Sequence, residues 1–337
     1  MMKLGELGEF GLIDTIRARV GARPGVHRGI GDDAAEVEIP AGHRLLTSTD
    51  LLLEDVHFRF DWTPPFDLGR KAVAVNLSDI AAMGGEPRFL YVGLACPGDT
   101  EVSRIDAFVA GVLAEAGEHD VVLVGGDTCR SPGPWIISVT IEGTAPAGVA
   151  VGRDGARPGD VVLVSGTLGD SALALALWQR GESPEPYLAA RHCRPTPRVA
   201  LGRELAAGGL ATAMIDLSDG LASDLEHILQ ASGVGAEVQA GALPLSPAFR
   251  EQLARQPELL DLALGGGEDY ELLCTVAPGR VAEALALAGR VEVPLTEVGM
   301  VTKADAGLAL RTANGDIRPL RVRGYDHFCR SAGEAMR

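Results

Sequence analysis

Lysine is nearly missing from this chain of 337 residues: Lys3, Lys71 and Lys303 are the only three, and the remaining basic side chains are arginines. No Gly-Lys dipeptide occurs, so the G-x-x-x-x-G-K-[ST] phosphate loop is excluded. The protein-kinase D-F-G and H-R-D signatures, H-E-x-x-H and G-x-S-x-G are missing too. Gly166-Thr167-Leu168-Gly169 is a short glycine turn and not a dinucleotide fingerprint. Cys96, Cys129, Cys193, Cys274 and Cys329 are scattered with no C-x-x-C pair, which excludes a zinc or disulfide framework and fits a reducing cytoplasm. No apolar run approaches the 18 residues of a membrane span, and the acidic start is unlike a signal peptide. Aromatics make up only 4%, so the cores are expected to be built from Val, Leu, Ile and Ala.

Acid is what the chain has in excess. The net charge is -16, which argues against nucleic acid or an anionic membrane as partner. With 46% apolar and 23% charged residues the composition is globular, and the length suits two domains.

The apolar spacing of Leu7, Phe10, Ile13 and Ile16 predicts an amphipathic helix, and residues 43–49 predict a strand delivering Ser48, Thr49 and Asp50 at its end. Helices are expected over 71–83, stopped by Gly84-Gly85, and over 106–118. Strands are expected over 121–124 and 135–142. A Gly/Pro/Ala-rich stretch, 143–159, places a domain boundary near 147, giving domains 1–147 and 148–337. The second half restarts with a strand over 160–165, a helix over 171–179, a strand over 213–215 and a helix over 218–230. Both halves mix helix and strand, so two α/β or α+β domains are expected. Leu77-Ser78-Asp79 echoes Leu217-Ser218-Asp219, a hint of duplication.

The acids recur beside glycines and hydroxyls: Gly31-Asp32-Asp33, Ser48-Thr49-Asp50, Ser78-Asp79, Gly126-Asp127-Thr128, Asp216-Leu217-Ser218-Asp219 and Gly267-Glu268-Asp269. A single Gly-Asp reads as a turn. Six such motifs read as one shared site. Two carboxylates about 4 Å apart repel by about 4 kcal/mol at an effective dielectric of about 20, so convergence demands a counter-charge. Lysine cannot supply it here. Hard oxygen donors match magnesium, which also takes phosphate oxygens and water.

The runs GIGDDA (29–34), Ser48-Thr49-Asp50 with His57-Phe58, KAVAVNLSDIAAMG (71–84), GGDT (125–128), IDLSDGL (215–221), GGEDYEL (266–272) and GYDHF (324–328) resemble the thiamine-monophosphate kinases, in that family's order. The resemblance implies the two-domain aminoimidazole ribonucleotide synthetase-like fold. In it, an N-terminal α/β domain pairs across a homodimer, an α+β domain follows, and ATP lies between them. It implies thiamine monophosphate and ATP as substrates and magnesium held by Asp33, Ser48, Thr49, Asp50, Asp79, Asp127, Asp216 and Asp219. ATP contacts would be Gly126, Asp127, Arg153 and Ser218; substrate contacts would be His57, Glu268 and Tyr325. Phe108 is the sole aromatic in 104–110, where the family often has one against ATP. No residue is assigned as a catalytic acid, base or nucleophile. Other members of the superfamily and a non-catalytic nucleotide-binding protein are the competing readings. A selenophosphate synthetase is disfavoured by the lack of any Cys before Cys96, and a hydrogenase-maturation protein by a Cys329 that is not C-terminal.

Overall fold

The computed structural model describes residues 2–21, 23–312 and 314–321. In chain order the elements are α1 (Leu4–Arg17), β1 (Val26–Arg28), β2 (Glu36–Val37), β3 (His43–Leu53), α2 (Pro65–Ala82), β4 (Glu86–Cys96), α3 (Val102–Glu118), β5 (Val122–Arg130) and β6 (Ile136–Pro146). Then come β7 (Val161–Ser165), α4 (Asp170–Gln179), α5 (Pro186–Cys193), α6 (Val199–Ala207), β8 (Ala211–Asp216), α7 (Leu221–Ser232) and β9 (Val234–Gln239). The chain continues through α8 (Pro247–Arg255), α9 (Leu260–Gly265), β10 (Leu272–Val276), α10 (Val281–Arg290), β11 (Leu295–Lys303), β12 (Leu308–Arg311) and β13 (Ile317–Pro319).

Contacts divide the chain into two units. The first holds residues 1–151 and 193–210; the second holds 152–192 and 211 onward. The boundary thus falls four residues beyond the expected 147, and the chain crosses it three times, because α6 packs with α2 in the first unit. Long-range packing of this kind leaves no mark on local composition.

In the first unit the strand order is β3-β6-β4-β5, antiparallel except for the parallel β4–β5 pair. Helix α2 starts with Pro65, six residues before the expected start, since proline suits the first helical turn. Almost every side chain from Leu68 to Ala82 is buried, and α2 packs closely on α3. The approach is closest where glycines face backbone: a Cβ on Gly69 would lie 2.0 Å from the Phe108 carbonyl, and one on Gly111 1.9 Å from that of Phe66.

The second unit has the strand order β13-β12-β9-β11-β7-β10-β8, with β12–β9 its parallel pair. All of β10 and most of β7 are buried, in keeping with their largely apolar sequences, in which Thr275 and Ser165 are the polar members. Leu221, Leu225, Ile228 and Leu229 of α7 join that core, as their spacing predicts.

Two expectations change. Strand β3 runs on to Leu53, so Asp50 lies inside it and not at its end. The echo of Leu-Ser-Asp is not structural either: 77–79 lie within α2, whereas 217–219 form a loop before α7, which starts at Leu221 and not at 218. Gly220, at φ 103°, holds that loop out of the helix.

Candidate active site

Strand alternation sorts the acids of the first unit. Leu46, Ser48, Asp50 and Leu52 point one way along β3 and are partly or fully buried, while Leu45, Thr47, Thr49 and Leu51 are exposed on the other face. On the inner face the Ser48 hydroxyl donates to Asp79 Oδ2 at 2.5 Å. Burial pushes the Asp50 carboxyl up to about 7, and the Asp79 charge pushes in the same direction. Ser48, Asp50 and Asp79 therefore form one acidic nest. Thr49 belongs to the other face: its hydroxyl donates to the Val139 carbonyl and meets Thr140 Oγ1, both at 3.0 Å.

A cavity of about 850 Å³ in the same unit gathers another part of the predicted set. Asp32, Asp33, Gly126 and Asp127 line it, together with Tyr91 and the apolar face of α1 at Phe10, Ile13 and Ile16. The helical stripe read from the sequence thus faces a cavity, and Phe10 stays 78% exposed. Gly126 is required by its place in β5: its φ is 153°, and a Cβ would lie 2.0 Å from the Val92 carbonyl. Phe108 also lines this cavity but is 1% exposed and packs edge-on against Trp135, a core role rather than an open stacking face. His57 closes the turn after β3, where its Nδ1 accepts the Leu53 N–H at 3.0 Å. Nδ1 is thus the acceptor nitrogen, and Nε2 carries the proton.

In the second unit two motif loops are zipped together by backbone bonds. Leu217 N donates to Glu271 O, Glu268 N to Ser218 O and Tyr270 N to Leu217 O, at 2.8, 2.8 and 2.9 Å. This brings Asp216, Ser218, Asp219 and Glu268 to one edge, with Asp216 ending β8 as expected. Glu268 and Tyr270 take positive φ, 67° and 51°, which the zipper sustains. Asp224 Oδ2 accepts the N–H groups of Asp219 and Gly220 at 3.0 and 3.1 Å. Burial pushes the Asp224 carboxyl up to about 7 despite those bonds, and the Arg153 charge opposes the rise. Arg153 is therefore electrostatically near this loop, while Ser232 Oγ holds its carbonyl at 2.9 Å.

Beneath lies a polar scaffold that motif reading missed. Arg191 reaches the Glu271 carboxylate at 2.8 Å and the Asp269 carbonyl at 3.0 Å, and Ser165 Oγ donates to the other Glu271 oxygen at 2.6 Å. Glu271 stands inside GGEDYEL, and Asp224 is an acid in a first helical turn, so both left a trace in the sequence. Arg191 left none. Tyr325 lies outside the described residues.

Among the described residues no three His, Cys, Asp or Glu side chains converge into a metal cage. What the first unit offers is a pair of carboxylates with a hydroxyl. That fits magnesium, which is held by one or two carboxylates with phosphate oxygens and water completing the shell.

Two domain families match in tandem: AIR synthase related protein, N-terminal domain, over residues 31–145, and its C-terminal domain over 157–309. The chain is thus a two-domain AIR synthase related protein. A thiamine-monophosphate kinase of Salmonella typhimurium is 44% identical over 95% of this chain and 98% of its own length. The crystal structure of thiamine-monophosphate kinase from Stenotrophomonas maltophilia K279a aligns with a TM-score of 0.81 and 43% identity, covering 90% of this chain and 96% of that one. AaThiL complexed with AMPPCP and TMP aligns with a TM-score of 0.74 and 37% identity over 97% and 99% of the two chains. By these measures the chain belongs to the thiamine-monophosphate kinase family.

Proposed function

We propose that this chain transfers the γ-phosphoryl group of ATP to the phosphate of thiamine monophosphate, giving thiamine diphosphate and ADP by direct in-line displacement. The observation that carries the reading onto this chain's own residues is the Ser48–Asp50–Asp79 nest, a half-buried acidic pair that calls for a cation. Asp33, Ser48, Thr49, Asp50, Asp79, Asp127, Asp216 and Asp219 are the proposed magnesium residues, of which Ser48, Asp50 and Asp79 share one strand–helix face. When bound, magnesium neutralises charge on the donor and acceptor phosphates. Gly126, Asp127, Arg153 and Ser218 bind ATP in this reading, and the arginine supplies a fixed cation where lysine is missing. His57, Glu268 and Tyr325 bind thiamine monophosphate, with the Glu268 carboxylate facing its cationic ring. The acceptor is a phosphate oxygen already ionised at neutral pH, so no side chain need act as general base.

The same reading makes the protein a cytoplasmic homodimer joined through the first unit. Its support is β3, a long strand at a sheet edge whose outer face exposes Leu45 and Leu51. Among the described residues no helix is long and apolar enough to cross a membrane.

The test supplies γ-labelled ATP and thiamine monophosphate and separates products from protein. Label is expected in the terminal phosphate of thiamine diphosphate, with one ADP per product. Label chiefly in free phosphate, or held covalently on the chain as a competent intermediate, would overturn direct transfer.

A further inference from the structure

The end of α5 carries two consecutive side chains that both grip the loop 268–271. Arg191 takes the Asp269 carbonyl and the Glu271 carboxylate. His192, 2% exposed, takes Glu268: its Nδ1 lies 3.3 Å from Glu268 Oε2 and 3.0 Å from Ser171 Oγ. The Trp178 ring stands edge-on to the imidazole with centroids 5.5 Å apart, which fixes the ring plane from a second side. Of the three polar members, only the Glu268 side chain, 23% exposed, reaches toward solvent.

The chemistry of the contact fixes its polarity. An ionised carboxylate can only accept, so the contact with Glu268 is favourable when Nδ1 carries the proton, with the Ser171 oxygen as a second acceptor. With the proton on Nε2 alone, the Nδ1 lone pair would oppose a carboxylate oxygen. A buried, directed N–H on one side of a partly open carboxylate limits its rotamers and keeps its negative charge in one place. Such a fixed anion is what a cationic heteroaromatic ring requires from its site, and a mobile glutamate would lose orientation each time substrate bound.

We propose that His192 is a positioning residue for substrate selection, holding the Glu268 carboxylate through the Ser171–His192–Glu268 chain so that it meets the cationic ring of thiamine monophosphate. The proposal rests on the reading of Glu268 as a substrate contact. It predicts a split between the two substrates, because His192 meets the Glu268 carboxylate, whereas the bond from Glu268 to the ATP-assigned Ser218 is made by its backbone N–H.

The experiment compares His192→Leu, which removes the donor, with His192→Asn, whose side-chain N–H stands near the place of Nδ1–H. Losing one hydrogen bond to a charged group should raise KM for thiamine monophosphate by roughly tenfold in His192→Leu. KM for ATP should stay within about twofold, and His192→Asn should recover most of the loss. Equal shifts in both KM values, or an asparagine variant no better than leucine, would overturn the assignment. Should His192→Leu fail to fold, as thermal melting would report, the cycle of His192→Asn with Glu268→Gln decides. Residual effects of the histidine change must vanish once Glu268 is neutral, and additive effects would overturn the proposal. An unaltered chain that makes no thiamine diphosphate overturns the kinase reading together with this one. An active chain without the split overturns only the role of His192.

Discussion

In the first unit three of the acids sit inside regular elements, Asp50 within β3, Asp79 within α2 and Asp127 within β5, and Asp33 lies between β1 and β2. In the second, Asp216 closes β8 and the others sit in loops, at 217–219 and 268–271, tied to each other by backbone bonds and to Arg191 by a buried ion pair. The first arrangement needs no dedicated scaffold, because strand and helix packing already aim the side chains. The second needs one, because nothing regular holds a loop with two positive-φ residues. An acid can therefore be removed from the first unit at the expense of function alone, whereas the loops of the second depend on groups that never meet substrate.

The largest expected effect tests whether both arrangements serve the same chemistry. Asp50→Asn, Asp79→Asn and Asp216→Asn should each lower turnover by about 100-fold or more, the scale of losing one preorganised charge-stabilising group. Steady-state rates beside melting curves would show it, with melting little changed for the two variants of the first unit. Near-normal turnover in any of them would remove that acid from the site, and in all three would end the shared-site reading.

Next in size is the scaffold itself. Arg191→Met removes the guanidinium that pairs with the buried Glu271 carboxylate and takes the Asp269 carbonyl, which should cost about 3–5 kcal/mol of stability. Denaturant titration would measure this. A loss no larger than that of an exposed pair such as Arg255–Glu251, with side chains 66% and 65% exposed, would show that the loops hold themselves.

A third effect is a pH dependence seated in the second unit, to which the raised Asp50 carboxyl of the first unit adds in the same direction. Burial pushes the Asp269 carboxyl up to about 8 from 3.8, against the opposing Gly169 N–H and Arg191 charge. The unfolded chain gives up this proton first, so folding binds it more tightly. Stability from this group is therefore complete below about pH 4, is lost as pH rises toward about 8, and is level beyond. Asp269→Asn, with no proton to lose, should gain on the unaltered chain across that window when denaturation midpoints are compared. A gain confined to acid pH would reverse the sign and refute it.

The same contrast decides what could be read from the sequence. The acids were singled out because they recur with glycines and hydroxyls in short motifs. Their setting was less so. The expected strand end at Asp50 failed because the alternation of Ser48, Asp50 and Leu52 continues through a residue whose charge looked like a terminus. The repeated Leu-Ser-Asp misled because three residues carry no information on whether they lie in α2 or in a loop. Strand β4 gave no clear signal, since Pro87 and Gly93 interrupt its pattern. The Arg191 and His192 contacts span roughly 80 positions of sequence, beyond any local spacing rule.

Helix α6 belongs to the first unit although it follows the first 41 residues of the second, 152–192. During synthesis a chain emerges from its N-terminus, and domains commonly fold as soon as they are whole. Here α2 still lacks its α6 neighbour when residue 151 leaves the ribosome. The first unit is whole only once Leu210 has been made, after the start of the second unit. A fragment cut at residue 151 would be born without α6 and would stay so.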